Sequence, residues 1–177
     1  RVFYAEANFG DEEIEAAVNV LKNNRLSLMA GEQCSAVERE VARLFGKNFG
    51  LMTNSGSSAN LLAIKSLNLP QGTKVLTPAL TFSTTVAPLV QSGLVPVFVD
   101  VDPNTLQMDT DILKDVNPQE IGAVCVPNLI GNVADWPKIA EFSNLYNILT
   151  IEDSADTIGY LRNGKIENFA DVSTTSF

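Results

Sequence analysis

The chain has no histidine. Histidine is the usual general acid and base near neutral pH and the commonest zinc ligand, so serine-histidine and cysteine-histidine chemistry and ordinary zinc centres are excluded from these 177 residues. Cysteine is nearly as scarce: Cys34 and Cys125 stand far apart, and Cys125 lies in the apolar run Ala123-Val124-Cys125-Val126. Both read as reduced thiols of a cytoplasmic protein rather than as a disulfide or a nucleophile. Basic residues are few, 12 against 21 acids, for a formal charge of −9. With no block of Lys or Arg to offset it, this balance argues against nucleic acid and anionic membrane surfaces as partners. No apolar run exceeds a short strand, so none is long enough to span a membrane. Arg1-Val2-Phe3-Tyr4 has neither a signal-peptide pattern nor an initiator methionine, which suggests a processed or truncated beginning.

What is present is an apolar content of 45%, enough at this length to bury about 70% of the unfolded surface in one core. Ile14, Ala17, Val18 and Leu21 follow Asp11 at helical spacing, and Gln33 to Phe45 carries Val37, Val41 and Leu44 on one face, with Gly46 as its stop. From there strand and helix alternate. Strands are predicted at Phe49 to Thr53, Lys74 to Thr77, Val95 to Val101, Ala123 to Val126 and Ile148 to Ile151. Helices are predicted at Ser57 to Leu67, Phe82 to Ser92, Thr110 to Val116 and Pro137 to Tyr146. Pro88 should kink its helix or mark a loop at its start, and Val95 to Val101 is apolar enough for a strand buried on both faces. Asn163-Gly164 is a hairpin signal. This alternation implies βαβ units: a three-layer α/β fold with a mostly parallel sheet and helices on both faces. The last residues, 171–177, read as a strand with no turn or polar tail after it, so the chain reads as a fragment.

In such a sheet, ligands lie beyond the carboxyl ends of strands, where turns lead into helix N-termini. Asn54-Ser55-Gly56-Ser57-Ser58-Ala59-Asn60 occupies such a turn, and its small residues, hydroxyls and free helix N–H groups suit a phosphate; a plain serine cap explains only one of the serines. Glu152-Asp153-Ser154-Ala155-Asp156 follows an apolar strand and could meet a cationic ligand atom, bind Mg²⁺ or cap a helix. Pro78-Ala79-Leu80-Thr81-Phe82-Ser83-Thr84-Thr85 sets an aromatic ring beside hydroxyls, where Phe82 could equally be core. The three together suit a flat phosphorylated ligand with a protonatable nitrogen, as pyridoxal phosphate is.

The order and wording of these segments resemble the DegT/DnrJ/EryC1/StrS family of fold-type I pyridoxal-phosphate sugar aminotransferases. The resemblance also runs through Pro96-Val97-Phe98-Val99-Asp100-Val101-Asp102, Ile151-Glu152-Asp153 and Thr175-Ser176-Phe177. The wording is similar above all to the nucleotide-sugar 4-keto-6-deoxyhexose 3-dehydratases, because Asp156 stands where aminotransferases of the family usually carry Gln. The resemblance implies an aspartate aminotransferase-like large domain over residues 1–177 and pyridoxal or pyridoxamine 5′-phosphate as cofactor. Gly56, Ser57, Ser58 and Ser176 would hold the phosphate and Phe82 would stack on the ring. Asp153 would pair with the ring nitrogen, and Asp156 would lie near the ring hydroxyl.

The same resemblance implies a nucleotide-linked sugar as substrate, a cytoplasmic homodimer, and a role in deoxysugar and lipopolysaccharide biosynthesis. It places the catalytic base, Lys in aminotransferases and His in the 3-dehydratases, a few residues beyond the matching Ser-Phe pair. The base is therefore expected beyond Phe177, together with a small C-terminal domain. None of the seven lysines occupies the matching place, and Lys65 and Lys74 read as surface residues. The family often shows His around Asn128, so the resemblance implies no substrate contact for this residue. The competing expectations are a catalytically silent module that keeps the fold for assembly, and a different α/β protein holding phosphate in the first loop and Mg²⁺ at Asp153.

Overall fold

The computed structural model describes residues 6–159, 161–162 and 165–177. Two helices come first, α1 at Asp11–Asn23 and α2 at Glu32–Leu44, followed by α3 at Gly56–Ser66. Then come β1 (Lys74–Pro78), α4 (Ser83–Gln91), β2 (Val95–Val99), β3 (Ile121–Pro127), α5 (Trp136–Tyr146) and β4 (Leu149–Ser154). β5 (Leu161–Arg162) and β6 (Lys165–Ile166) form an antiparallel pair, and β7 is Val172–Thr175. The turn residues of the expected hairpin, Asn163 and Gly164, lie outside the described residues.

β2, β1, β3, β4 and β7 form one sheet in that order, and every neighbouring pair is parallel. Each face buries its own cluster because side chains alternate along a strand. On one face Val75, Ala123, Cys125 and Ile151 pack with Ala63, Ile64 and Leu89 of α3 and α4. On the other, Leu76, Val124 and Val126 pack with Trp136 and Ile139 of α5. Burial of each large apolar side chain is worth about 1.5–3 kcal/mol, so the α/β/α layering is where the fold is held.

Four expectations change. Phe49 to Thr53 is not in the sheet: Phe49 and Leu51 are 90% and 75% exposed, and the Met52 N–H is held by Glu38 Oε1 at 2.9 Å rather than by a neighbouring strand. β2 is an edge strand with Val95 and Phe98 exposed, not one buried on both faces. Thr110–Asp115 is a 3₁₀ helix. β4 extends three residues past its apolar run and carries Glu152 and Asp153 within the strand, with no helix directly after it to cap.

Candidate functional site

α3 begins where Ser55, in extended backbone conformation, turns its side chain back: Ser55 Oγ accepts from Ser58 N–H at 3.1 Å. The Ser55 hydroxyl in turn donates to Ser58 Oγ at 3.2 Å, which holds that oxygen in the turn and leaves the Ser58 hydroxyl proton for a ligand. Among the described residues the N–H groups of Gly56 and Ser57 have no acceptor, and the Ser57 side chain is exposed. Two free N–H groups at a helix N-terminus, beside hydroxyls, are the elements of an anion cradle. The end of β7 closes it: a Cβ on Gly56 would come within 3.1 Å of Ser176 Cβ and 3.3 Å of its Oγ. The structure thus brings Gly56, Ser57, Ser58 and Ser176 together.

Asp153 lies on the α3–α4 face of β4 and is 5% exposed. Its Oδ2 accepts from Asn60 Nδ2 at 2.8 Å and from Thr85 Oγ1 at 2.7 Å; among the described residues Oδ1 has no donor. Oδ1 keeps some access to solvent although the residue is buried, so an N–H⁺ of a ligand ring can reach it and would complete it. On this test the residues present fit the cofactor that the sequence implies. Phe82, the residue capping α4, is 70% exposed and its ring is free to stack.

Glu152 points to the opposite face of the same strand. Its Oε1 accepts from Asn128 Nδ2 and Ser154 Oγ, both at 2.8 Å, and its Oε2 accepts from Ser173 Oγ at 2.8 Å. Adjacent acids on opposite faces cannot grip one ion, which removes the basis of the Mg²⁺ reading; no cluster able to hold a metal occurs among the described residues. Asp156 is exposed, and its Oδ2 accepts from the Ile130 N–H at 2.8 Å, pinning Ile130 in a left-handed conformation (φ 59°). Asn128 is 1% exposed and spends its side chain internally: Nδ2 donates to Glu152 and Ser154, and Oδ1 accepts from Ala134 N and Trp136 Nε1, each at 3.0 Å. It has no hydrogen-bonding capacity left for a substrate.

The sequence reading assigned no role to Asn60 or Thr85. The available signal was Asn60's place three and four residues before Ala63 and Ile64, on the buried side of α3. The groove of about 670 Å³ between α2, α3 and β7 is lined by Phe45, Phe49, Leu51, Leu62 and Val172 and reaches Ser55, Gly56 and Ser176 of the cradle, while neither Phe82 nor Asp153 borders it.

A parallel sheet with an acid at the carboxyl end of a central strand and a helix N-terminus open beside it defines an α/β protein of the aminotransferase large-domain type. The chain belongs to the DegT/DnrJ/EryC1/StrS aminotransferase family, whose sequence profile matches residues 8–177. It is 37% identical over 161 residues to the dTDP-4-dehydro-2,6-dideoxy-D-glucose 3-dehydratase of Saccharopolyspora spinosa, a match covering 86% of this chain and 35% of that one. It is 34% identical over 167 residues to the GDP-4-keto-6-deoxy-D-mannose 3-dehydratase of Yersinia pseudotuberculosis, covering 91% of this chain and 42% of the relative. The solved structure of the E. coli GDP-4-keto-6-deoxy-D-mannose-3-dehydratase with bound hydrated PLP superposes with a TM-score of 0.84 at 33% identity, over 92% of this chain and 43% of that one. The chain therefore spans well under half the length of these relatives. Among the described residues no helix is long and apolar enough to cross a membrane.

Proposed function

We propose that the chain is the cofactor-binding portion of a pyridoxal- or pyridoxamine-phosphate enzyme acting on a nucleotide-linked sugar, either a 4-keto-6-deoxyhexose 3-dehydratase or a sugar aminotransferase. The observation that carries it is the buried Asp153, held on one oxygen and open on the other, in a site that also presents the free N-terminus of α3. When bound, the cofactor supplies an electron sink for cleavage of bonds next to a carbon–nitrogen linkage. The protein's part is to hold it. The N–H groups of Gly56 and Ser57, with the hydroxyls of Ser57, Ser58 and Ser176, bind the phosphate; Phe82 covers one ring face; Asp153 Oδ1 accepts the ring N–H and keeps that proton in place.

Asp156, and relatives named as 3-dehydratases, support the dehydratase branch. Free cysteines support a cytoplasmic setting, and exposed Phe49 and Leu51 support a homodimer that covers apolar surface. The test is titration of the purified chain with pyridoxal and pyridoxamine phosphate, beside Asp153→Asn, followed by absorbance and melting temperature. Binding weakened by Asp153→Asn is the expected result. If wild type responds in neither signal, the cofactor reading is wrong.

A further inference from the structure

The geometry points to Asn60 and Thr85 as positioning residues that decide which oxygen of Asp153 meets the cofactor's ring nitrogen; this rests on the reading of Asp153 above and deepens it. The argument begins at Pro88. Proline has no N–H, so the carbonyl of Thr84, four residues earlier in the chain, loses its helical donor. Asn60 Nδ2 reaches that carbonyl at 3.2 Å. A carbonyl can only accept, so this contact fixes which end of the Asn60 amide carries the NH₂. The oxygen end agrees with that orientation, since Asn60 Oδ1 accepts from Thr174 Oγ1 at 2.6 Å. The second N–H of the same group then goes to Asp153 Oδ2.

Thr85 is constrained in the same way. Its oxygen accepts from Thr81 Oγ1 at 2.8 Å, so its single proton is free for Asp153 Oδ2 at 2.7 Å. Asn60, Thr85 and Asp153 are all buried, so no water competes for these bonds. Two directed donors on Oδ2 stop the carboxylate from rotating and leave Oδ1 as its acceptor for a ligand. The clamp also ties together three parts of the site: Thr174 lies directly beside Asp153 in the β4–β7 register, Thr81 precedes Phe82, and Asn60 belongs to the helix whose N-terminus faces the phosphate.

The experiment uses pyridoxal phosphate labelled with ¹⁵N in the ring, bound to the chain as it exists. Its signal separates a protonated ring nitrogen from a bare one. Thr85→Val and Asn60→Leu keep the side-chain shape and remove the donors. Each should weaken binding by about tenfold and move the ring signal toward the unprotonated position, while Thr85→Ser stays within about twofold of wild type. In an Asp153→Asn background neither substitution should change the ring signal further, whereas a merely structural role would shift it in both backgrounds. Melting curves of each variant check folding, and Thr85→Val alone carries the comparison if Asn60→Leu does not fold. The clamp is overturned if Thr85→Val leaves the ring signal at its wild-type position, or moves it equally in the Asp153→Asn background. A ring signal that Asp153→Asn itself leaves unmoved sinks the ring-nitrogen reading, and the clamp with it, so the two failures are distinguished.

Discussion

Gly56 and Ser176 approach so closely that a single added methyl at position 56 would lie 3.1 Å from Ser176 Cβ. The contact joins the start of α3 to the end of β7, and it is tight because no side chain intervenes. Gly56→Ala should shift Ser176 by a few tenths of an ångström without unfolding the helix, since alanine favours helix. The cost falls on the anion: affinity for pyridoxal phosphate should drop by about tenfold, as expected for one lost charge-assisted hydrogen bond. Gly56→Val, with a bulkier stem, should abolish binding while secondary structure by circular dichroism stays unchanged.

Asn128 works as a buried tie between β4 and α5. Its four side-chain hydrogen bonds join Glu152 and Ser154 on β4 to Ala134 and Trp136 at the start of α5. Asn128→Ala removes all four and leaves the Trp136 indole N–H without its acceptor in a buried site. The expected loss is about 3 kcal/mol or more, read from the urea midpoint. Asn128→Asp keeps the volume but sets a second carboxyl against Glu152. It should destabilise near neutral pH and recover partly in mild acid, where one of the pair takes a proton. A variant as stable as wild type would show that this network contributes nothing net.

The layers of this fold were readable in the sequence because strands buried in a parallel sheet leave short apolar runs, and helices between them leave a longer period. The same local signal misled at Phe49 to Thr53, where the pattern suits a strand but pairing depends on a distant partner. It also stopped too early at Ile151. The ladder continues through Glu152, Asp153 and Ser154 because Asn128, Asn60 and Ser173 reach them from far along the chain. Asn60 shows the limit most clearly. A polar residue in a helix reads as solvated until Pro88, 28 positions later, is seen to strip a carbonyl that the amide then satisfies.

Lys47 should leave a mark on alkaline stability. It donates to the Ala170 carbonyl and to Asn168, and it faces Glu152 and Asp171. Burial holds its ammonium below the ordinary value of 10.5, with the two acids pushing back. The native protein therefore gives up this proton at lower pH than the unfolded chain does. Between the lowered native value and 10.5 the unfolded state binds more protons, so this group makes stability rise with pH in that window. Urea midpoints measured as pH rises toward 10.5 should show the rise in wild type relative to Lys47→Met. Lys47→Met should also cost about 1–3 kcal/mol near pH 7, because the Ala170 carbonyl loses its donor.

The two cysteines should differ sharply in reactivity. Cys34 is partly exposed, whereas Cys125 is fully enclosed between α3, α4 and the sheet. Burial is the larger cause pushing the Cys125 thiol far above its ordinary value of 9.0, and the negative charge of Asp153 adds to it. Because the thiolate is the reactive form, native protein should take up one equivalent of maleimide, at Cys34, and a second only in denaturant. Asp153→Asn should not bring Cys125 into reach, since it removes the smaller cause and leaves the enclosure intact. The sign on stability is opposite to that of Lys47: the native thiol keeps its proton above 9.0 while the unfolded one loses it, so this contribution is present below 9.0 and declines as pH rises further. Fast labelling of Cys125 in the folded Asp153→Asn variant would show instead that the carboxylate, not the packing, protects it.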